Sequence, residues 1–488
     1  MLRKHIALKT SRFNNMKKFY LLILSLTLTC AAFAQPRAKY VFYFIGDGMG
    51  VNQVNGAETY LAALEGRIGV KSLCFTQFPY AAFVTTYSAT NGVTDSAAGG
   101  TALATGHKTK NGAISVLKDL QTPVYSVAEA AQRGGAAVGI STSVTVDHAT
   151  PAVFYAHAEH RKMYYEIGKQ LTTSNFDFFG GSDFHSPANK EKKNSEPDLY
   201  QQAKNNGYTI ARGYADFTQK AAKAKKMILF QPETDSKAFR YSIPYKLDRK
   251  PGNLSLEQIT QAGISFLTKQ KKDGFFFMVE GGMIDWACHG NDAASYVNEL
   301  IDMDKCVQIA YEFYKQHPDS TLIVISADHE TGGLSLGRGP YELHLDRLAY
   351  QKTSLAEYTR HLKALHESLK ENFTWDVVKA DLQTNFGFWD KIELTEQQTA
   401  RLKKAYEELM TGVAAGKEDM YSKKDPITYT AGLTMDEVSL VGWQSGGHSN
   451  GFVGAYGIGV GAEAFQGQID NTEIPRLIAK AAGWQLRP

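Results

Sequence analysis

The chain has few cysteines, little net charge and no long apolar run in its body. Only four of its 488 residues are cysteine, and the three that follow residue 34 are an odd number. That number argues against a disulfide framework, which a core of this size does not need. The formal net charge of +3 gives no reason to expect nucleic acid as a dedicated partner. No apolar run reaches the roughly 20 residues of a membrane span, so we expect none.

The one sustained apolar run lies near the N-terminus and is typical of an export signal. Two lysines precede the run at 19–28, and an Ala-Phe-Ala cleavage pattern follows it. We therefore expect residues 1–34 to be a signal peptide, with translation starting at Met1 or Met16, and the mature protein to be periplasmic or secreted. The residues before Cys30 fit a lipoprotein signal poorly, so lipid anchoring is not expected.

Short apolar runs that alternate with helical stretches predict a three-layer α/β/α fold. The runs at 40–45, 274–279 and 321–325 are rich in aromatic and β-branched residues, as in strands buried on both faces. Such runs predict a central, mostly parallel sheet, and each ends next to carboxylates, where ligands of parallel sheets bind. We expect one α/β domain over 35–488, with an inserted helical and irregular subdomain at about 335–440.

Asp95 and Ser96 precede a run of small residues and admit two interpretations. They could simply cap a helix, because Asp and Ser are common N-cap residues. Alternatively, Ser96 could be a nucleophile in the first helical turn, where backbone N–H groups favour negative charge. The rest of the chain favours the nucleophile, because it contains compact groups of oxygen and imidazole side chains: Asp47; Thr150; Glu280, Asp285 and His289; Asp328 and His329; and His448.

These side chains are of the types that bind hard divalent cations. Carboxylates combined with imidazoles suit Zn²⁺, Mg²⁺ or Mn²⁺, and the lack of paired cysteines argues against a structural zinc or iron–sulfur site. Asp285 and His289 are four residues apart, so a helix would place both on one face.

Six segments in this order resemble the alkaline phosphatases: YVFYFIGDGMG, VTDSAAGGTALATGHKTKNGAI, DHATPAVFYAHAEHRK, FMVEGGMIDWACHGND, ISADHETGG and GWQSGGHSNGFVGAYG. The resemblance covers essentially the whole chain after the signal. It implies a metal-dependent hydrolase that releases phosphate from monoesters through a phosphoserine formed on Ser96. It also implies two zinc ions and one magnesium ion, and a homodimer is possible.

The resemblance assigns the ligands residue by residue. The implied sets are one zinc on Asp285, His289 and His448, a second zinc on Asp47, Asp328 and His329 beside Ser96, and magnesium on Asp47, Thr150 and Glu280.

Four further residues have implied roles around the phosphate. Arg161 would grip the free phosphate oxygens, and Asp95 would help to orient it. His148 would act on the magnesium ion through water, at a position where bacterial relatives often have aspartate. Trp286 stands where relatives carry lysine or histidine; it offers an indole N–H rather than a cation, so we expect weaker binding of product phosphate.

Other enzymes have a similar metal cradle, notably diesterases, sulfatases and phosphoglycerate mutases. A diester has one charge less and no third free oxygen, so it would not require Arg161 and Glu280, which are both present. A sulfatase would need a different nucleophile motif. An exported protein that only binds phosphate or metal would show a lost nucleophile or a broken ligand set, and the sequence has neither.

Overall fold

The computed structural model describes residues 37–189, 197–412, 420–421 and 423–487. The predicted signal peptide, with Cys30 and both candidate start sites, lies outside the described residues. Within the described part of the chain, no helix is both long enough and apolar enough to cross a bilayer.

A ten-stranded sheet forms the centre of the fold. The strands of the described residues are β1 Tyr40–Ile45, β2 Tyr80–Thr85, β3 Ala137–Thr142, β4 Phe178–Gly181, β5 Tyr208–Arg212, β6 Lys226–Phe230, β7 Phe275–Glu280, β8 Thr321–Ser326, β9 Glu330–Thr331, β10 Ser335–Leu336, β11 Val441–Gly442, β12 His448–Ser449, β13 Val453–Gly459 and β14 Gly467–Asp470. The sheet has the order β14-β2-β13-β8-β1-β7-β3-β4-β6-β5. β13 is antiparallel to both of its neighbours, whereas the other neighbouring pairs are parallel.

The central strands are buried because their side chains are apolar on both faces. Every residue of β3, β7 and β8 is buried, and Phe42, Tyr43 and Phe44 of β1 have no exposed surface. Such strands require cover on each face of the sheet. The helix Val127–Arg133 packs on β3 and β7, and the helix Leu256–Thr268 packs on β3, β4 and β7. The predicted α/β fold with a mostly parallel sheet is confirmed.

Helices occupy most of the connections between strands. Their bounds are Val51–Ala63, Ser96–Thr105, Val127–Arg133, Ala149–Ala152, Tyr164–Thr173, Leu199–Asn205, Tyr214–Lys220, Glu233–Ala238, Leu256–Thr268, Gly282–His289, Ala293–Gln316, Leu355–Leu369, Trp375–Phe386, Glu396–Thr411, Pro426–Ser439 and Glu473–Ala482. Several begin at a side-chain cap. Ser354 and Thr395, for example, each accept a hydrogen bond from a backbone N–H of the first turn, which satisfies a donor the helix cannot pair itself.

The carboxyl ends of three neighbouring strands coincide at one edge of the sheet. Ile45 at the end of β1 is level with Glu280 of β7 and with Ser326 of β8. The loops that follow these strands therefore leave the sheet side by side. Residues that lie far apart in sequence, including Asp47 and Asp328, meet at this edge.

Candidate active site

Ser96 lies at the start of a buried helix that the preceding aspartate caps. The Asp95 carboxylate accepts hydrogen bonds from the backbone N–H groups of Ala98 and Gly112, each at 3.0 Å. The two interpretations are therefore compatible. The Asp95 carboxylate caps the helix, so the Ser96 hydroxyl is not needed as the cap. The Ser96 Oγ lies 3.1 Å from His329 Nε2, at the positive end of the helix.

This helix approaches the loop that contains Asp328 so closely that it needs a glycine at the point of contact. A Cβ atom added to Gly99 would lie 2.7 Å from the backbone oxygen of Asp328. Any larger residue would push the helix, and Ser96 with it, away from the loop. The small residues that follow Ser96 in the sequence thus set the distance between Ser96 and the loop that contains Asp328.

Asp285, His289 and His448 form the first ligand group. The His289 Nε2 lies 3.1 Å from His448 Nε2 and 3.4 Å from Asp285 Oδ1. The Nδ1 atoms of the two histidines lie 2.6 Å from the carbonyl oxygen of Gly446 and 2.8 Å from that of Thr94. Because a carbonyl only accepts hydrogen bonds, each Nδ1 carries the proton and each Nε2 presents a lone pair. Two lone pairs and a carboxylate facing one another match a cation site.

Asp47, Asp328 and His329 form the second group, beside Ser96. The His329 Nε2 lies 3.3 Å from Asp47 Oδ1 and 3.2 Å from Asp328 Oδ2. Gly48 and His329 donate their backbone N–H groups to the other oxygen of Asp328, at 3.2 and 3.1 Å, and so fix the carboxylate. Asp285 approaches this group too, because its ligand atom lies within 4.8 Å of those of Asp47 and His329.

Asp47, Thr150 and Glu280 form the third group, with His148 next to them. The Thr150 hydroxyl donates to Asp47 Oδ2 at 3.3 Å, and ligand atoms of Asp47, His148 and Glu280 lie within 4.8 Å of one another. The hydroxyl of Thr142 donates to Glu280 and holds its carboxylate in place. The structure thus brings every ligand that the sequence predicts into one of three adjoining groups.

The charges of these groups require compensation. Burial and the nearby Asp328 raise the pKa of Asp47, and burial raises the pKa of Glu280 to about 7. Burial would also raise the pKa of Asp285, but the imidazoles of His289 and His448 bring it down to about 2. Among the described residues, Asp47 Oδ1, Asp285 Oδ2 and Asp328 Oδ2 are buried without a hydrogen-bond partner. Since buried charge is costly unless it is paired or binds a metal, this donor set fits divalent cations.

Arg161 lies between the carboxylate of Asp95 and the imidazole of His148. Its Nη1 lies 3.2 Å from Asp95 Oδ2, and its Nη2 lies 3.1 Å from His148 Nε2. Burial and the guanidinium lower the pKa of His148 to about 3, so this ring is neutral and can accept a hydrogen bond from Arg161. Two partners therefore fix the plane of the guanidinium fork.

Trp286 lies on the helix Gly282–His289, in the wall of the cavity that contains Arg161 and His448. The cavity has a volume of about 630 Å³. The indole stacks on the Tyr421 ring with centroids 4.3 Å apart, and its Nε1 is buried with no hydrogen-bond partner among the described residues.

Sequence reasoning did not identify several residues that hold the ligands. The Thr331 hydroxyl donates to Asp285 Oδ1 at 2.6 Å and lies 3.2 Å from His329 Nδ1. One signal was available for it, because Thr331 follows His329 by only two positions and carries a hydroxyl that can reach the neighbouring ring. Thr142 and Tyr421 gave no comparable signal, since neither lies within a helical turn or a strand repeat of a ligand.

Comparisons with known proteins identify one family. The sequence profile of the alkaline phosphatase family matches residues 38–484. Alkaline phosphatase 3 of Bacillus subtilis is 31% identical over 466 residues, which cover 93% of this chain and 91% of that protein. The crystal structure of a cold-active alkaline phosphatase from a psychrophilic Shewanella species matches with a TM-score of 0.75 and 26% identity, over 91% of this chain and 99% of that one. The Thermus thermophilus alkaline phosphatase matches with a TM-score of 0.74 and 26% identity, over 93% of each chain.

Proposed function

The chain belongs to the alkaline phosphatase family and is a phosphoric monoester hydrolase, and from that premise we propose that it acts through a covalent phosphoserine on Ser96. The observation that carries the proposal is the position of the Ser96 hydroxyl. It lies at a helix N-terminus, 3.1 Å from a histidine of the second ligand group. Backbone N–H groups at such a terminus favour negative charge, both on an attacking oxygen and on a phosphate attached to it.

The family is metal-dependent, and we assign two zinc ions and one magnesium ion to the three ligand groups. Two imidazoles with a carboxylate are a typical zinc set, which supports zinc on Asp285, His289 and His448. Zinc also suits Asp47, Asp328 and His329, whereas the all-oxygen set of Asp47, Thr150 and Glu280 suits magnesium. One solved relative, a mutant alkaline phosphatase from TAB5, is described with magnesium bound in its M3 site. When bound, such cations supply positive charge next to the attacking and leaving oxygens.

The residues of the chain then perform two displacements. In the first, Ser96 Oγ gives up its proton and forms a bond to phosphorus while the bond from phosphorus to the alcohol oxygen breaks, and the departing oxygen takes up a proton. In the second, water attacks the phosphoserine, which releases inorganic phosphate and restores the serine hydroxyl. The same pocket serves both steps, because Arg161 is paired with Asp95, the residue next to Ser96.

Arg161 is proposed to bind the phosphate oxygens that take no part in bond exchange. A guanidinium fork matches two such oxygens with parallel hydrogen bonds, which a lysine cannot do. Asp95 and His148 hold the fork in place at 3.2 and 3.1 Å. A monoester has three free oxygens, so two can bind the fork while the third faces the metal-ligand groups; a diester has only two, and this supports monoesters over diesters.

One assay separates this function from the alternatives. We expect rapid hydrolysis of p-nitrophenyl phosphate, much slower hydrolysis of bis-p-nitrophenyl phosphate, and loss of both activities after a chelator removes metal. Metal analysis of the purified protein should find both zinc and magnesium. Faster cleavage of the diester would indicate a diesterase, and rates that do not respond to the chelator would overturn the metal assignment.

We further propose that the protein is exported and cleaved after Ala34. We also propose that it assembles as a homodimer. Residues at about 335–440 would form an inserted subdomain of the single α/β domain. The N-terminal sequence of protein recovered from the periplasm or the medium tests export. A mass measurement in solution tests the dimer. A full-length protein found only in the cytoplasm, or a monomeric mass, would refute the corresponding part.

A further inference from the structure

The cavity next to Arg161 is far larger than a phosphate group requires. Its volume of about 630 Å³ falls within the range of pockets that enclose whole small-molecule ligands. Asp95, Arg161 and His448 line it at the reacting end, so an ester bound there must place its alcohol in the remaining space. The walls of that space therefore decide which alcohols fit.

One wall of this space is a ladder of stacked rings, made of Tyr164, His185 and Tyr241. The Tyr164 and His185 rings lie 3.6 Å apart at an angle of 13°, and the His185 and Tyr241 rings lie 4.5 Å apart at 19°. The guanidinium of Arg240 lies 5.2 Å from the Tyr241 ring centroid. Since both faces of His185 are covered and Arg240 lies over Tyr241, these two rings offer mainly their edges to a ligand.

A second aromatic pair, Trp286 and Tyr421, lines the same cavity. None of the five rings belongs to a residue proposed to hold a metal ion, and they come from separate parts of the chain. Ring edges carry partial positive charge and ring faces partial negative charge, so the ladder suits a planar ring that meets it edge to face. A purely aliphatic polyol would gain little from such walls.

Resting on the proposed function, we infer that this cavity is a subsite for the leaving group of monoesters whose alcohol carries a planar aromatic ring, such as a nucleobase. Asn111 and Lys162 also line the cavity and can hydrogen-bond to a sugar between the ring and the phosphate. Among the lining residues Asp95 is paired with Arg161, so its carboxylate does not repel the ligand.

Adenosine 5′-monophosphate and ribose 5-phosphate form a matched pair for the test, because both release the same type of primary alcohol and differ at C1, where the nucleotide carries a base and the sugar phosphate a hydroxyl. Edge-to-face contact of a base with these aromatic side chains, together with burial of its ring, predicts a kcat/KM about tenfold higher for the nucleotide. Tyr241→Ala should lower this ratio several-fold, whereas Tyr241→Phe, which keeps the ring, should preserve it. Tyr341→Ala is the control, because Tyr341 is fully exposed and does not line the cavity.

The ratio distinguishes recognition from a structural effect, since a damaged fold would slow both substrates alike. A wild-type ratio near one would overturn the subsite, and an unchanged ratio in Tyr241→Ala would overturn its assignment to the ring ladder. If neither ester is hydrolysed, the proposed function fails instead. The subsite is then tested by binding, where calorimetry with the Ser96→Ala variant should show the same preference for the nucleotide.

Discussion

Replacing Thr331 by valine is expected to weaken metal binding without disturbing the fold. The Thr331 hydroxyl donates to Asp285 Oδ1 at 2.6 Å and lies 3.2 Å from His329 Nδ1. If His329 presents its Nε2 to a cation, its Nδ1 carries a proton and donates to the threonine hydroxyl. A hydrogen-bonded chain then runs from His329 through Thr331 to Asp285, and it fixes one residue of each proposed zinc set.

The size of the effect follows from these contacts. A hydrogen bond to a charged group contributes about 1.5–3 kcal/mol, which corresponds to a factor of roughly 10 to 150 in a binding constant. This agrees with the roughly 10–100-fold loss of affinity seen when a group that orients a metal ligand is removed. Valine has nearly the shape of threonine, so the fully buried site should keep its packing.

Competition with a chromogenic chelator measures the zinc affinity of each variant. Thr331→Ser, which keeps the hydroxyl, is the matched control and should bind zinc nearly as tightly as the wild type. Thermal unfolding in saturating zinc checks that both variants fold. If the valine and serine variants bound zinc equally tightly, the hydroxyl would have no role in orienting the ligands.

Three other substitutions test the residues around the phosphate. Ser96→Ala should keep its metal ions but trap no labelled phosphate on acid quenching, and stoichiometric labelling would exclude this serine as the nucleophile. Arg161→Lys should lower kcat/KM for p-nitrophenyl phosphate by about 10–100-fold, because a point charge replaces a hydrogen-bonding fork; a loss confined to the diester would contradict this role. Trp286→Lys should bind product phosphate more tightly, seen as a lower inhibition constant, and an unchanged constant would disprove the assigned effect of the indole.

The fold and the ligand types were accessible from sequence because their signals are local. Apolar runs identified β1, β7 and β8 to within a residue at either end. Parallel strands end at a common edge, so carboxylates after different strands could be placed together without knowledge of the loops. The four-residue spacing of Asp285 and His289 likewise required only a helix, which the structure provides.

The rest depended on contacts between distant segments. Tyr164, His185 and Tyr241 lie in three separate segments, and no periodicity links them. Tyr421 reaches Trp286 from the segment before the helix Pro426–Ser439, where the sequence predicted only an inserted helical and irregular subdomain. Ring stacking of this kind depends on tertiary geometry, and that geometry is not encoded in any local pattern.

Glu330 shows how a buried carboxylate can serve the metal centre without lying among its ligands. Its Oε1 accepts hydrogen bonds from Gln53 Nε2 at 2.6 Å and from the Leu334 N–H at 3.2 Å. Its Oε2 accepts from the Gly333 N–H at 3.0 Å and from the Ser449 hydroxyl. With these four donors, the charge is satisfied in a buried position.

The contact between Glu330 and Ser449 fixes the register that places His448. β12 is antiparallel to β9, with His448 opposite Thr331 and Ser449 opposite Glu330. Because successive side chains of a strand point to opposite faces, a slip of one residue would turn His448 away from Asp285 and His289. Only two residues pair on each strand, so backbone hydrogen bonds alone specify this register weakly. The hydrogen bond between the Glu330 carboxylate and the Ser449 hydroxyl adds this specificity. It thereby holds His448 next to the loop that follows β8.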